Sequence, residues 1–518
     1  MRTGTVPSST SLRWMRIRLL LAISFLLTLS AAAQVRQTRY EMPLHDGQTD
    51  PYRSVSLGEN GLFLFATVVA EGDYAIEVIR LDTAFTEKWR GFVKIDRNLL
   101  LYYSVYRDDR VFILLKDRHI PQAEFQILSI FIDNGNYVIR TVKTMLPFIP
   151  TNFAVTQDAA LIAGTFNYRP LVLYYNFAND NSKILPGFFN EAGELDQMQT
   201  DADGNINVVV SGKNPSKRRS LWIRQYDRQG DLVKTIVLQP DEDKHLLYGR
   251  SINQPGGYQV VCGVYGRYTE YSRGIFIASI DPYGEYSIRY YNFADLQRFF
   301  NYMKARREQR VKERIERRKI RGKKLRFNYR ILVNELVPYG NNQFFMLGEA
   351  FYPHYAYPTG RNTGSYFFTR YGGIPYGRGD LVFDGYQYTH AVVVGFDGEG
   401  NLTWDNSFEI NDVRTFQLQQ FVKVLPQQNR IALLYLYDNV IRSKIIKDAE
   451  VLEGKSFDNL STAFKEDVVQ ENGTQHTRLE YWYGDVFYAT GIQQITNVRN
   501  AGVSLTRRVF FVNRIEYK

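Results

Sequence analysis

Residues 203–231 read DGNINVVVSGKNPSKRRSLWIRQYDRQGD, and this stretch gives the unit by which the rest of the chain can be parsed. Asp203-Gly204-Asn205 is a tight-turn signal. Ile206 to Val210 is an apolar strand, a variable polar loop follows, and the next strand ends at Asp227, which opens another turn. Similar apolar runs stand at Leu62 to Val69, Val111 to Leu115, Leu161 to Thr165, Tyr258 to Val264 and Ile431 to Tyr437, each a candidate inner strand. Turn signals fall at positions 60, 108, 158, 204, 256, 341, 428 and 485, with intervals of 46 to 57 except for two, of 85 and 87. A second series, Asp82, Asp133, Asp180, Asp227, Asp281, Asp397 and Asp448, keeps the same register. A period of about 40–50 residues is that of a propeller blade. The unit is therefore strand, tight turn, apolar strand, loop, strand, Asp-led turn, strand.

This parsing predicts an all-β fold, a single β-propeller of about eight four-stranded blades with one inserted basic helix. The last blade runs out of chain after Arg508 to Tyr517 and lacks its outermost strand. Gln37 to Pro43 carries an orphan strand pattern. Pairing it with Arg508 to Tyr517 would close the ring and remove two open sheet edges. Leu81-Asp82-Thr83 with Glu87-Lys88-Trp89, and Phe396-Asp397-Gly398 with Leu402-Thr403-Trp404, resemble the repeats of quinoprotein-like and WD40-like propellers. That resemblance implies the superfold and no specific family. Quinoprotein dehydrogenases place a vicinal cysteine pair beside their cofactor, whereas Cys262 is the only cysteine here, so no cofactor is implied.

Composition agrees with strands and a folded body: of 518 residues 44% are hydrophobic, 23% charged and 15% aromatic, including 37 Tyr and 34 Phe. A single cysteine excludes a disulfide framework within the chain. Arg13, Arg16 and Arg18 precede the apolar run Leu19 to Leu29, which ends in Ala31-Ala32-Ala33. That order predicts a cleavable signal peptide over 1–33 and an exported protein, periplasmic or extracellular, with the propeller over 34–518. Translation from Met15 would still produce a complete signal.

Two insertions break the period. Over 294–327 neither Pro nor Gly occurs before Gly322, and Leu296, Phe299, Phe300, Met303, Val311 and Ile315 fall near helical spacing, which predicts a long helix. Lys304 to Arg326 holds 13 Lys or Arg against three Glu, a local charge of +10. The leader carries +4 and the whole chain +10, so the remainder is about −4. All the basicity is local. Arg307, Arg310, Arg314, Arg317 and Arg318 are candidate binding residues, and the alternative is a solvated helix held by pairs such as Glu308 with Lys312 and Glu313 with Arg317.

The second insertion, 352–388, is rich in Tyr and Gly, and Tyr357, Tyr366, Tyr371 and Tyr376 are candidates for carbohydrate or protein contact. Its competing reading is a flap over the rim. Arg378-Gly379-Asp380 is an adhesion-like tripeptide of little weight. A basic loop with Lys213, Lys217, Arg218 and Arg219 completes the set. Because strands within a blade are antiparallel, these three connections belong to one face, and the other face is left with short turns.

Enzyme signatures are sparse. The six histidines are scattered, with no metal-binding spacing, phosphate loop or Gly-x-Ser-x-Gly elbow. The expectation is an exported, non-catalytic binding or scaffold module of the cell envelope, without bound metal. Its partner would be a protein or polysaccharide, or an anionic membrane surface; nucleic acid fits the charge but not the compartment. The alternative is a propeller-fold hydrolase acting on a glycan, with a pair such as Glu349 and Asp380 as its carboxyls.

Overall fold

Five aspartate-led turns share one local geometry. At Asp82, Asp201, Asp227, Asp281 and Asp397 the carboxylate accepts the amide N–H four residues on, at 2.8 Å in every case. The residue before that amide has positive φ, and it is glycine in four turns and Phe85 in the fifth. A short acidic side chain can bond the backbone just ahead of it and so fix the turn without tertiary help.

These turns join strands in a computed structural model that describes residues 35–517 apart from 45–50, 71, 120–122, 189–191, 324, 341, 357–381, 428–429, 473–476 and 500–503. The signal sequence expected over 1–33 and the Arg378-Gly379-Asp380 tripeptide lie outside the described residues. The strands form eight separate antiparallel sheets. Blades 1 to 7 span 53–94, 99–143, 149–184, 193–238, 245–292, 330–409 and 423–459. Blade 8 takes 468–517 and borrows Val35–Pro43, which pairs with Thr506–Tyr517 from Val35↔Tyr517 to Pro43↔Val509. The N-terminal strand closes the ring. Among the described residues, no helix is long and apolar enough to cross a membrane.

The apolar runs are the second strands of the blades. First strands of neighbouring blades contact each other around the axis, and the second strands behind them are buried on both faces, as in Ile206–Lys213 and Gln259–Gly266. That double burial explains why these runs are continuously apolar rather than alternating. Fourth strands such as Tyr137–Lys143 face solvent and are mostly exposed.

The core is divided among eight hydrophobic clusters, each between consecutive blades. The one between blades 8 and 1 combines Met42, Leu64, Ile79, Tyr488 and Phe510. Trp482 Nε1 reinforces this seam by donating to the Gly61 carbonyl at 3.0 Å. Of the two tryptophans behind the propeller resemblance, Trp89 donates to Ile132 O of blade 2 at 2.8 Å. Trp404 lies flat on Gly395, where a Cβ would come within 2.1 Å of the ring.

Candidate functional site

One insertion leads into blade 6 and the other lies within it, and chain direction puts them on one face. Residues 293–329 join the fourth strand of blade 5, Tyr286–Asn292, to the first of blade 6, Arg330–Pro338. The other insertion joins the second and third strands of blade 6, Gln343–Ala356 and Val382–Asp397. Connections of these two kinds leave an antiparallel blade at the same end, here termed the insertion face. The connection carrying Lys213, Lys217 and Arg218 also joins a second to a third strand, Ile206–Lys213 to Arg219–Tyr226 in blade 4. It shares the face but stands two blades away.

The helix is shorter than its sequence predicts. It spans Ala305–Ile320, and Leu296, Phe299, Phe300 and Met303 precede it in non-helical backbone. A distant carboxylate decides this: Asp405, in the fourth strand of blade 6, accepts the amides of Gln297 and Arg298 at 2.8 and 2.6 Å, and Ser407 Oγ donates to Arg298 O at 2.9 Å. Phe293, Phe299 and Phe300 then sink into the core between blades 5 and 6. The helix itself contributes one buried residue, Ile315. The Glu308–Lys312 pair forms at 2.6 Å, while Arg317 Nε donates to the Glu313 carbonyl at 3.3 Å. Lys319 reaches back to Asp295 at 3.1 Å and ties down the last turn.

With Ile315 facing the core, 100° per residue fixes where every other side chain emerges. Arg307, Arg310, Arg314, Arg317, Arg318 and Arg321 occupy one flank, all exposed. Glu313 and Glu316 occupy the other. The helix therefore carries a stripe of five arginines, about 16 Å long from Arg307 to Arg318 at 1.5 Å per residue, with no acid among them, and Arg321 continues it at the C-cap. Spacing alone had suggested the first five; Arg321 joins them once the buried face is known.

The Tyr/Gly-rich insertion is strand at both of its ends. Residues 352–356 and 382–388, expected within the loop, are strand instead and extend the hairpin of blade 6 as far as Ala356↔Val382. Aromatic rings pair along this extension: Phe351 with Tyr386 at 5.6 Å, Tyr355 with Phe383 at 5.9 Å and Phe383 with Tyr386 at 5.0 Å. Strand Arg414–Thr415 pairs alongside, and Asp384 binds Arg414 and His354. Tyr352 and Tyr355 are about half exposed. The candidates Tyr357, Tyr366, Tyr371 and Tyr376 lie outside the described residues.

His390 joins the two insertions. Its ring stacks on Tyr302 at 3.8 Å and meets the edge of Phe299 at 4.9 Å. Tyr302 in turn touches Tyr329 through their hydroxyls at 3.2 Å. Burial drives the imidazole down to about 3, so it remains neutral and serves packing. The root of the helix and the root of the aromatic hairpin are thus one packed body. Near the blade 4 loop, His245 Nδ1 accepts the Arg219 amide at 3.0 Å. Burial, then Arg218, Arg219 and Lys213, holds its pKa below the usual value.

Two buried carboxyls, Glu349 and Asp196, are each held by hydrogen bonds to a neighbouring blade. Glu349, fully buried, accepts the Val422 and Phe421 amides at 2.6 and 3.1 Å; its suggested companion, Asp380, lies outside the described residues. Asp196 accepts Ser211 Oγ and the Gly249 amide at 2.8 and 3.0 Å. Both bridge blades. Among the described residues, no group of three or more His, Cys, Asp or Glu is placed to hold a metal ion.

Burial raises both carboxyls to about 7. A carboxyl with a raised folded pKa keeps its proton where the unfolded chain has lost it. Its stabilisation is therefore complete below about pH 4 and is lost as pH rises through about 7. Urea unfolding at pH 5 and pH 8 is expected to show lower stability at pH 8. Glu349→Gln should reduce that difference by about 3 kcal/mol. An unchanged difference would mean that Glu349 is ionised in the folded chain.

No protein-family model matches the chain, and none of the curated proteins does. Among solved structures it is similar to polysaccharide lyase Uly1, with 10% identity, 80% of this chain and 89% of the lyase covered, and a TM-score of 0.39. It is also similar to the β-propeller domain of the Trilobed protease from Pyrococcus furiosus, at 8% identity, 80% and 98% coverage and a TM-score of 0.35. A third likeness is to a prolyl endopeptidase, at 9% identity, 86% and 55% coverage and a TM-score of 0.38. The chain spans about half the length of that endopeptidase. At such identities and TM-scores no activity follows for this chain.

Proposed function

We propose that this protein is an exported, non-catalytic binding or scaffold module of the cell envelope that engages an anionic partner through the insertion face of blade 6. The observation that carries this reading is the flank of five arginines on Ala305–Ile320, continued by Arg321 at the C-cap, on a helix whose root is locked to the aromatic hairpin through His390 and Tyr302. A guanidinium is planar and always charged, and it binds carboxylate, sulfate or phosphate oxygens in pairs. A row of them on a rigid helix suits a repeating anion, either an acidic polysaccharide or a phospholipid surface. The half-exposed Tyr352 and Tyr355 add rings with an apolar face and a polar edge, as a glycan or protein partner requires.

A glycan hydrolase would need carboxyls free to reach substrate, whereas Glu349 and Asp196 are buried and bonded to the neighbouring blade. The test is retention of the full chain on immobilised polygalacturonate and on phosphatidylglycerol vesicles, compared with a variant reversed in charge at Arg310, Arg314 and Arg317. Pull-down from an envelope extract with the same two proteins then identifies the native partner class.

A further inference from the structure

The opposite face, made of short turns, holds a cleft of about 500 Å³ between blades 4 and 5. Its wall carries six amide side chains, Gln199, Asn205, Asn207, Gln225, Asn253 and Gln254. The one carboxylate in the lining, Asp201, is committed to its own turn: Asn205 N donates to Oδ1 at 2.8 Å and Asn205 Nδ2 to Oδ2 at 3.0 Å. No lysine or arginine is among the described lining residues. The cleft is polar, and Asp201 is the one charged group among its described lining residues.

Asn207 shows what the cleft lacks. Only 6% of this residue is exposed, and its amide orientation is fixed by a chain of bonds. Ser251 N and Ser251 Oγ both donate to Gln197 Oε1, at 2.6 and 3.1 Å. The serine hydroxyl proton is thereby used, so Asn207 must present Nδ2 to Ser251 Oγ, at 2.8 Å. Its Oδ1 is left buried with no partner among the described residues, and so is Gln254 Nε2. Unpartnered buried amide atoms are uncommon and carry a desolvation penalty. Here one is an acceptor and the other a donor, and both residues line the same cleft.

An aromatic ring stands at the mouth. Tyr258, 52% exposed, follows the turn Pro255-Gly256-Gly257, in which both glycines have positive φ. Gln254 N closes that turn on Tyr258 O at 2.8 Å. Gly256 packs near the ring, since a Cβ built there would lie 3.6 Å from Cδ2.

We propose that this cleft binds one uncharged sugar ring of a polysaccharide. Sugar hydroxyls both donate and accept, which matches a wall of amide side chains in which Asn207 Oδ1 and Gln254 Nε2 lack partners among the described residues, while the apolar face of the pyranose rests on Tyr258. A phosphate or uronate would find no cation in the lining. The site goes beyond the insertion-face reading and does not depend on it.

The test is calorimetric titration of the full chain with cellotetraose, maltotetraose, mannotetraose and chitotetraose, and with tetragalacturonate as the charged arm. At least one neutral tetrasaccharide should bind saturably, with Kd on the order of 1 mM for a single-ring subsite. Tyr258→Ala should weaken binding at least about tenfold without lowering Tm, and Tyr258→Phe should retain it, because stacking needs the ring and not the hydroxyl. Asn207→Ala should lose a similar factor. Absence of saturable binding by all four neutral sugars, or binding unchanged by Tyr258→Ala, overturns the proposal. Binding of tetragalacturonate alone, lost on reversing Arg310, Arg314 and Arg317, would overturn it and leave the insertion-face reading intact.

Discussion

Deleting residues 35–43 is expected to unfold the ring near room temperature, whereas deleting residues 357–381 should leave Tm within a few degrees of the parent. The nine-residue strand supplies a complete edge of blade 8 and the buried side chain of Met42. It also brings Arg39, whose side chain is 2% exposed and whose guanidinium reaches Glu41, Asn513 and Gln493 at 2.6, 3.1 and 2.7 Å. Truncating a buried Met costs about 2–5 kcal/mol, and opening a buried ion pair a further 3–5 kcal/mol or so. Together these approach the whole stability of an ordinary protein, about 5–15 kcal/mol. The exposed edge of Thr506–Tyr517 would also invite sheet-to-sheet aggregation. A synthetic peptide of residues 35–44 should restore Tm in proportion to the logarithm of its concentration. Arg39→Ala, with the strand kept, is the milder arm and should cost about 3 kcal/mol in urea unfolding. A deletion variant as stable as the parent would show that blade 8 stands without its borrowed strand.

Reversing Arg310, Arg314 and Arg317 to Glu should remove polyanion binding, by at least about 100-fold at low salt, with Tm unchanged. The fold tolerates this because all three side chains are exposed on the solvent flank of the helix, opposite or beside Ile315. Parent binding should weaken steeply with salt, because the Debye length is only about 8 Å at physiological ionic strength. Arg→Lys at the same three positions separates charge from geometry. It keeps the charge and loses the two-pronged donor, so an intermediate loss of about tenfold is expected if paired bonds to carboxylate, sulfate or phosphate matter. Retention of the Glu variant on both polygalacturonate and phosphatidylglycerol vesicles would end the proposal. Loss on one support alone identifies the chemistry of the partner.

Much of this architecture is legible in the chain because its signals are local. Asp227 and its counterparts bond the backbone four residues ahead, so the turn is written where it occurs, and its recurrence marks out the blades. The closing strand was legible for a related reason: a final blade one strand short and an orphan strand at 37–43 leave two edges that only each other can satisfy. What the sequence could not determine depends on groups far apart in the chain. The backbone from Leu296 to Met303 has helical spacing, yet Asp405 takes its amides and the core takes its rings, so the helix starts at Ala305. The arginine flank exists as a stripe only because Ile315 turns inward, and the two insertions form one body only because His390 lies under Tyr302. The amide-lined cleft is assembled from turns of two blades, about 50 residues apart, and from a hydrogen-bond chain through Gln197 and Ser251 that fixes Asn207. Local bonds set the blades and their number; packing between blades sets which side chains are left to meet a partner.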